Sequence, residues 1–156
     1  ELKSFGLTWE DPPASDTPFD TRFYWSRKTD GSLTEKSLAD INVVDKDGKE
    51  VIDPKTGKQM IEPGLKSIWI TQTKQTANSL LSASDWMITR KAEKGTAIPD
   101  ATQTYRDNVR TACNTIETKI NNCSNLTQFI ALFDVPLDSN KLPTGKAPIN
   151  DFPDEI

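Results

Sequence analysis

The sequence predicts a mainly α-helical fold with a small β-meander: a helical hairpin plus a short third helix, flanked by extended Pro-rich arms. Apolar residues recur at helical spacing between residues 65 and 133. Gly- and Pro-containing turns divide residues 41–61 into short β-prone runs, and prolines concentrate near both ends. We therefore expect an N-terminal arm at 1–31, a helical domain at 32–133 with the meander inserted, and a C-terminal tail at 134–156.

The N-terminal arm combines prolines with a cluster of aromatic side chains. Three prolines within residues 1–31 disfavour a helix or a central strand, which predicts an extended segment. Its aromatic residues need a dry environment, and they either pack back on the domain or insert into a partner. The candidate partner-contacting residues in the arm are Phe19, Phe23, Tyr24 and Trp25.

The meander is predicted from its two turns. Asp-Lys-Asp-Gly and Asp-Pro-Lys-Thr-Gly separate three β-prone runs, and Gly48 and Gly57 can adopt positive φ while Pro54 presets a turn corner. Asp45 and Asp47 do not form a calcium-binding loop, because Gly48 follows Asp47 directly and the required ligand spacing is missing. A plain turn is the expected structure.

Three helices follow. The first is expected over 65–83 and the second over 99–121, where Pro99 suits the first turn and Asp100 complements the helix dipole. Asn125 and Gln128 resemble a capping box before a short third helix. These three apolar stripes can bury one another without any cofactor, so we expect none.

Composition excludes several functional classes. The net charge is −4 and no basic block occurs, which argues against nucleic-acid binding. No apolar stretch approaches the roughly 18 residues that a bilayer span needs, so we expect a soluble protein without membrane contact. The absence of His excludes Ser-His and Cys-His catalysis and removes the commonest metal ligand, and we expect no metal site.

The two cysteines are expected to remain reduced. If one helix carries Cys113 and Cys123, they lie about 15 Å apart along its axis, which is too far for a disulfide. A bridge would be possible only if the helix ended before Cys123. Cys113 is expected to pack as a small core residue.

An Asp-Trp pair marks the corner after the first helix. Ser84 and Asp85 can satisfy free backbone groups at the helix end, and Trp86 is expected to cover the open end of the hairpin. Buried in that way, Trp86 would contribute about 3–5 kcal/mol to stability. The alternative is an exposed Trp86 that binds a partner. We also expect Arg106 or Arg110 to hydrogen-bond Asp85 or a carbonyl at the end of the first helix.

A series of residues around this corner occurs in a characteristic order: Leu80, Leu81, Ser84, Asp85, Trp86, Ile98, Pro99, Tyr105, Arg106, Val109 and Arg110. This series resembles the phage tail assembly chaperone domain. The likeness covers about residues 65–120. The link from the Asp-Trp pair to Pro99 is longer than in the shorter members of that family, and the meander and arms are additional.

The resemblance implies help in assembling tails or tail fibres. We therefore expect a structural virion protein of a tailed bacteriophage, assembled in the host cytoplasm and located in the tail region. Its partners would be other phage structural proteins and possibly itself. The alternative is a soluble tail or tail-fibre assembly chaperone that is absent from the mature particle.

The arms, rather than the helices, are expected to carry the binding energy. Phe152 is the candidate contact in the tail, which by composition would be extended and disordered in isolation. A fragment of residues 32–133 should then fold alone but fail to bind. A carboxylate enzyme using Asp85, Glu93 and Asp107 is disfavoured, because acid–base catalysis needs carboxylates that converge in a pocket.

Overall fold

A computed structural model describes residues 18–155, which form four α-helices and two small antiparallel sheets. The predicted mainly α fold with a small β element is thus confirmed. The chain divides into two compact units, one ending at Lys36 and one beginning at Ser37. No helix in the described part of the chain is both long enough and apolar enough to cross a membrane.

The first unit contains a β-hairpin. Strand β1 (Tyr24–Arg27) pairs antiparallel with β2 (Leu33–Glu35), and Gly31 adopts a φ of 84° in the turn between them. The predicted boundary after residue 31 falls inside this hairpin. The extended end of the predicted arm, which forms β1, pairs with β2 just downstream of that boundary. Residues 1–17 of the predicted arm lie outside the described residues.

The predicted meander opens the second unit. Strands β3 (Ile41–Asn42) and β4 (Ile61–Glu62) pair antiparallel. The run around Val51 forms bridges just beyond these strands, from Glu50 to Val44 and from Ile52 to Gln59. Three backbone hydrogen bonds close a ring between the runs: Val43 N–H to Met60 O at 2.9 Å, Met60 N–H to Val51 O at 2.7 Å, and Val51 N–H to Val43 O at 3.1 Å. Both turn glycines have positive φ, as predicted.

Helices α1 (Leu65–Ser82) and α3 (Asp100–Asn122) form the predicted hairpin, each within one or two residues of the expected bounds. Gly64 precedes α1 where the backbone of Ala39 approaches so closely that a Cβ atom would clash with it. The central buried side chains, fully enclosed or nearly so, are Val109, Ile116, Ile120 and Phe129. This is the apolar stripe that the sequence period indicated.

Helix α4 (Leu126–Ile130) has the predicted N-cap. The Asn125 side chain accepts a hydrogen bond from Gln128 N–H at 2.9 Å. The Gln128 side chain reaches back to the N–H of Ser124 at 2.8 Å, one residue earlier than a capping box requires. A 3₁₀ turn, Ala131–Phe133, follows, and Phe133 packs edge-on against Trp69 with ring centroids 4.6 Å apart.

The predicted link between the hairpin helices contains a further helix, α2 (Asp85–Lys94). Local signals encode it: Asp85 lies in the first turn, Lys91 and Lys94 in the last, and Gly95 ends the helix with a φ of 69°. None of its ten residues is buried. Because none of these residues is buried, the sequence carries no apolar stripe here, and no helix was predicted between the two hairpin helices.

The C-terminal tail is extended but packed. Ala147, Ile149 and Phe152 are buried, and a 3₁₀ turn at Pro148–Asn150 packs against α3 and the Ala131–Phe133 turn. The Lys146 ammonium closes the loop by donating to Phe152 O at 2.7 Å and to Asp154 at 2.6 Å. The expectation of a free tail was wrong, because Ala147, Ile149 and Phe152 bury their side chains although the segment is rich in proline.

Candidate functional site

Arg106 joins the hairpin helices at the Asp-Trp corner. Its guanidinium donates to Leu81 O at 2.9 Å, to the Ser84 hydroxyl at 2.6 Å and to an Asp85 carboxylate oxygen at 2.8 Å. Only 3% of Arg106 is exposed, whereas 60% of the Asp85 side chain is exposed, so the guanidinium is buried and the carboxylate stays in contact with water. The expectation that an arginine of α3 would bind this corner is confirmed.

Arg110, one turn further along α3, has a different role. It forms an ion pair with Asp107 on its own helix at 3.1 Å, and 47% of its side chain is exposed. Of the two arginines, Arg106 is therefore the one that binds the corner. Arg110 remains at the surface.

Trp86 does not cover the end of the hairpin. It is 53% exposed, and the Arg90 guanidinium lies 4.7 Å from the centroid of its ring. Residues 85–94 are helical, so each successive side chain is rotated by about 100°, and Met87 takes the inward position instead. The prediction of a buried Trp86 was wrong, and the alternative of an exposed Trp matches the structure.

Beside the corner lies a pocket of about 220 Å³ between α1, α2 and α3. We call it the corner pocket; its lining consists of Ser79, Leu80, Ala83, Ser84, Met87, Thr102, Tyr105 and Glu155. Tyr105 is 8% exposed, and its hydroxyl has no hydrogen-bond partner among the described residues. Burial raises the pKa of the Tyr105 phenol, and the negative charge of Glu155 raises it further.

The sequence motif includes several residues that line this pocket, but it did not predict a pocket. Leu80 and Tyr105 were marked as motif residues, but Met87 belongs to the unpredicted α2 and Glu155 to the tail. Leu81 contributes its carbonyl to Arg106, and Pro99 occupies the N-cap position of α3, one residue before the predicted place. No local pattern connects residue 155 with residue 105.

The predicted aromatic contacts differ in accessibility. Phe23 and Phe152 are buried within the folded chain, whereas Phe19 and Tyr24 are half-buried. Trp25 alone of the five is largely exposed, at 59%, with the Lys36 ammonium 4.5 Å from its ring centroid. Phe23 and Phe152 are thus not available to a partner, because burial in the fold already removes their apolar surface from water.

The meander presents apolar surface that the sequence analysis did not assign. About half of each of five large side chains is exposed although the ladder hydrogen bonds are formed: Ile41, Val44, Ile52, Met60 and Ile61. No residue of β3 or β4 is buried. The strand register places Ile41 and Met60 on one face of the meander and Val44 and Ile61 on the other, so apolar side chains are exposed on both faces.

The carboxylates considered for catalysis are engaged or exposed. Asp85 pairs with Arg106, Asp107 pairs with Arg110, and Glu93 is exposed on α2. Within residues 18–155, no group of three His, Cys, Asp or Glu side chains is placed to hold a metal ion. Cys113 and Cys123 are free, as predicted, although α3 ends at Asn122, just before Cys123. Both are buried, as predicted for Cys113, and burial raises the pKa of both thiols.

Comparisons with family models, with curated proteins and with solved structures find no match to this chain.

Proposed function

We propose that this chain is a structural virion protein of a tailed bacteriophage, associated with the tail or tail fibres and acting by protein–protein binding in assembly or attachment. The observation that carries the binding role is Trp86: a large exposed side chain on a helix that buries none of its residues. The phage assignment rests on the motif resemblance.

Helix α2 has few interactions within the chain that would stabilise it. It is ten residues long, and isolated helices shorter than about 12–15 residues are marginal in water. Its first turn is held by the Arg106 bonds to Ser84 and Asp85, while no residue of the remaining turns is buried. A partner that covers this helix would provide the missing packing.

Trp86 suits such a contact chemically. Tryptophan is among the residues most enriched at interface hot spots, because it buries a large rigid surface at low entropic cost. The neighbouring Arg90 holds the ring from one side by a cation–π contact, which restricts its rotamer before binding. The exposed Trp25 and the apolar surface of the meander supply further contact regions.

The motif that resembles the chaperone domain has one structural centre. The Leu81 carbonyl, the Ser84 hydroxyl and the Asp85 carboxylate all accept hydrogen bonds from one guanidinium, that of Arg106. Residues that looked unremarkable singly thus act together. These residues belong to the part of the chain that the resemblance covers.

Purified particles of the phage that encodes this chain test the proposal. Quantitative mass spectrometry should find the chain at a fixed ratio to the major tail proteins. Absence from particles, combined with presence on unassembled tail or fibre subunits, would support the soluble chaperone instead. Absence from both would contradict any role in the tail.

Replacement of Trp86 by Ala separates binding from folding. We expect the free energy of unfolding to change by less than about 1 kcal/mol, because little buried surface is lost. Incorporation into particles, or binding to the copurifying partner, should fall by about tenfold or more, as for a hot-spot residue. Urea denaturation and particle mass spectrometry measure the two effects.

Thr89→Ala is the matched control, since Thr89 is also exposed on α2. It should leave both quantities unchanged. A loss of about 3 kcal/mol or more in Trp86→Ala with normal incorporation would place the ring in the core of the protein and remove it from the interface.

A further inference from the structure

The corner pocket is too small for a typical cofactor or drug-sized ligand. Its volume of about 220 Å³ lies below the range of about 300–1,000 Å³ that such ligands occupy. One amino-acid side chain of a partner is the better match in size.

The pocket lining is arranged for a group with an apolar stem and a polar head. Leu80, Ala83 and Met87 supply apolar surface, while Ser79, Ser84 and Thr102 contribute hydroxyl groups. Long basic side chains bury their methylene stems on such surfaces and keep the charged head on polar groups.

Within residues 18–155, the Tyr105 hydroxyl at the pocket has no group to hydrogen-bond with. The residue is more than nine-tenths buried, and its hydroxyl has no partner in the described part of the chain. An unsatisfied buried polar group reduces stability, so a ligand that donates a hydrogen bond to this oxygen would remove a penalty. That gain adds to the binding free energy.

The charges around the pocket favour a cation. Arg106 is neutralised by Asp85 at 2.8 Å, and Lys146 by Asp154 at 2.6 Å. Glu155 lines the pocket and has no salt-bridge partner among residues 18–155. The first turn of α3 would by itself attract an anion, but Asp100 already occupies that turn and Glu155 adds a second negative charge nearby.

We propose that the corner pocket binds a Lys or Arg side chain of a partner protein. The stem lies on Leu80, Ala83 and Met87, and the cationic head donates to the Glu155 carboxylate and the Tyr105 hydroxyl. Because that hydroxyl is enclosed, a lining side chain has to move as the head enters, and Glu155, which lies outside any helix, shifts outward. This inference names the chemistry of the partner in the proposed binding function and rests on it.

A series of small probes with equal stems tests the pocket in the isolated protein. Butylguanidinium carries the cation, pentanamide is neutral and pentanoate is the anion. Titrations followed by the NMR shifts of the Met87 and Ala83 methyl groups should show saturable binding of butylguanidinium. Pentanamide should bind about threefold or more weakly, as a partly exposed ion pair predicts, and pentanoate should not saturate.

Three variants complete the design. Glu155→Gln should weaken butylguanidinium binding by about threefold or more, whereas Glu93→Gln, which removes an exposed carboxylate of α2 outside the pocket lining, should not. Tyr105→Phe should weaken probe binding and yet raise the thermal midpoint of the free protein, since the unsatisfied hydroxyl is gone. A merely structural role of Tyr105 would not produce these opposite effects.

Equal affinity for pentanamide and butylguanidinium would overturn the proposal, as would an unchanged affinity in Glu155→Gln. Preferential binding of pentanoate would show that the α3 terminus selects anions and would also overturn it. Probe binding does not depend on particle incorporation. If the probes do not bind as expected but Trp86→Ala still loses incorporation into particles, the pocket assignment is contradicted and the proposed function is not.

Discussion

Replacing Arg106 by Ala is expected to lower the free energy of unfolding by about 3 kcal/mol, because hydrogen bonds to charged groups contribute about 1.5–3 kcal/mol each and are not additive. The guanidinium makes three such bonds while only 3% of the residue is exposed. Its removal also leaves a cavity where the aliphatic stem packed.

The effect should be largest at the start of α2. Ser84 and Asp85 are held by Arg106, and no buried side chain of α2 can replace that link. We therefore expect α2 to lose helical structure in Arg106→Ala even at temperatures where α1 and α3 remain folded. Urea denaturation gives the free energy, and amide hydrogen exchange of residues 86–94 reports on the helix.

Arg110→Ala is the control on the same helix. Arg110 is half-exposed and pairs with Asp107 on its own helix, so its loss should change stability by less than about 0.5 kcal/mol. Arg106→Lys should recover part of the loss, since one ammonium cannot reach all three acceptors with the geometry of a planar guanidinium. Equal stability of the two alanine variants would show that the Arg106 bonds contribute nothing.

Prediction from the sequence succeeded where the spacing of apolar residues within one element indicates which of its faces is buried. Helices α1 and α3 carry apolar stripes because they pack on each other, and the Asn125 cap and the meander turns follow from local backbone chemistry. The bond to the corner was predicted for Arg106 or Arg110, because a planar cation binds the free carbonyls of a helix end well, but the sequence did not distinguish between the two arginines.

Prediction from the sequence failed where the structure depends on contacts between residues distant in sequence, and where an element has no buried residues. Helix α2 has no apolar stripe because none of its residues is buried, and only its terminal residues, such as Gly95, are typical of a helix. Trp86 was expected to be buried, but Met87 takes the inward position on this helix and Trp86 is exposed. Glu155 reaches the corner pocket only through the folding of the tail, which no local pattern records.

Deleting residues 146–156 is expected to destabilise the second unit by more than about 4 kcal/mol, since alanine replacement of a buried Ile or Phe alone costs about 2–5 kcal/mol. Ile149 and Phe152 are buried, and the tail packs on α3 and the Ala131–Phe133 turn, so the deletion exposes apolar surface on both. For a domain with a total stability of about 5–15 kcal/mol, much of the folded population would be lost at 37 °C.

We therefore expect that the fragment 32–133 does not fold alone, in contrast to the prediction from the sequence. It lacks the buried tail, and its start at residue 32 separates β1 from β2. Thermal unfolding of this fragment, followed by circular dichroism, should show a broad transition or none. A cooperative transition at the temperature of the full chain would contradict the structural role of the tail.

Single substitutions show whether burial of the tail, rather than its length, is responsible. Ile149→Ala and Phe152→Ala should each lower the free energy of unfolding by about 3 kcal/mol, whereas Leu142→Ala, in an exposed part of the same segment, should cost less than about 0.5 kcal/mol. The amides of Asn150 and Phe152 donate to Ala147 O and Asn150 O and should exchange more slowly than that of the exposed Ser139. Uniformly fast exchange over 146–155 would mean that the tail is free and that its aromatic residue is available to a partner after all.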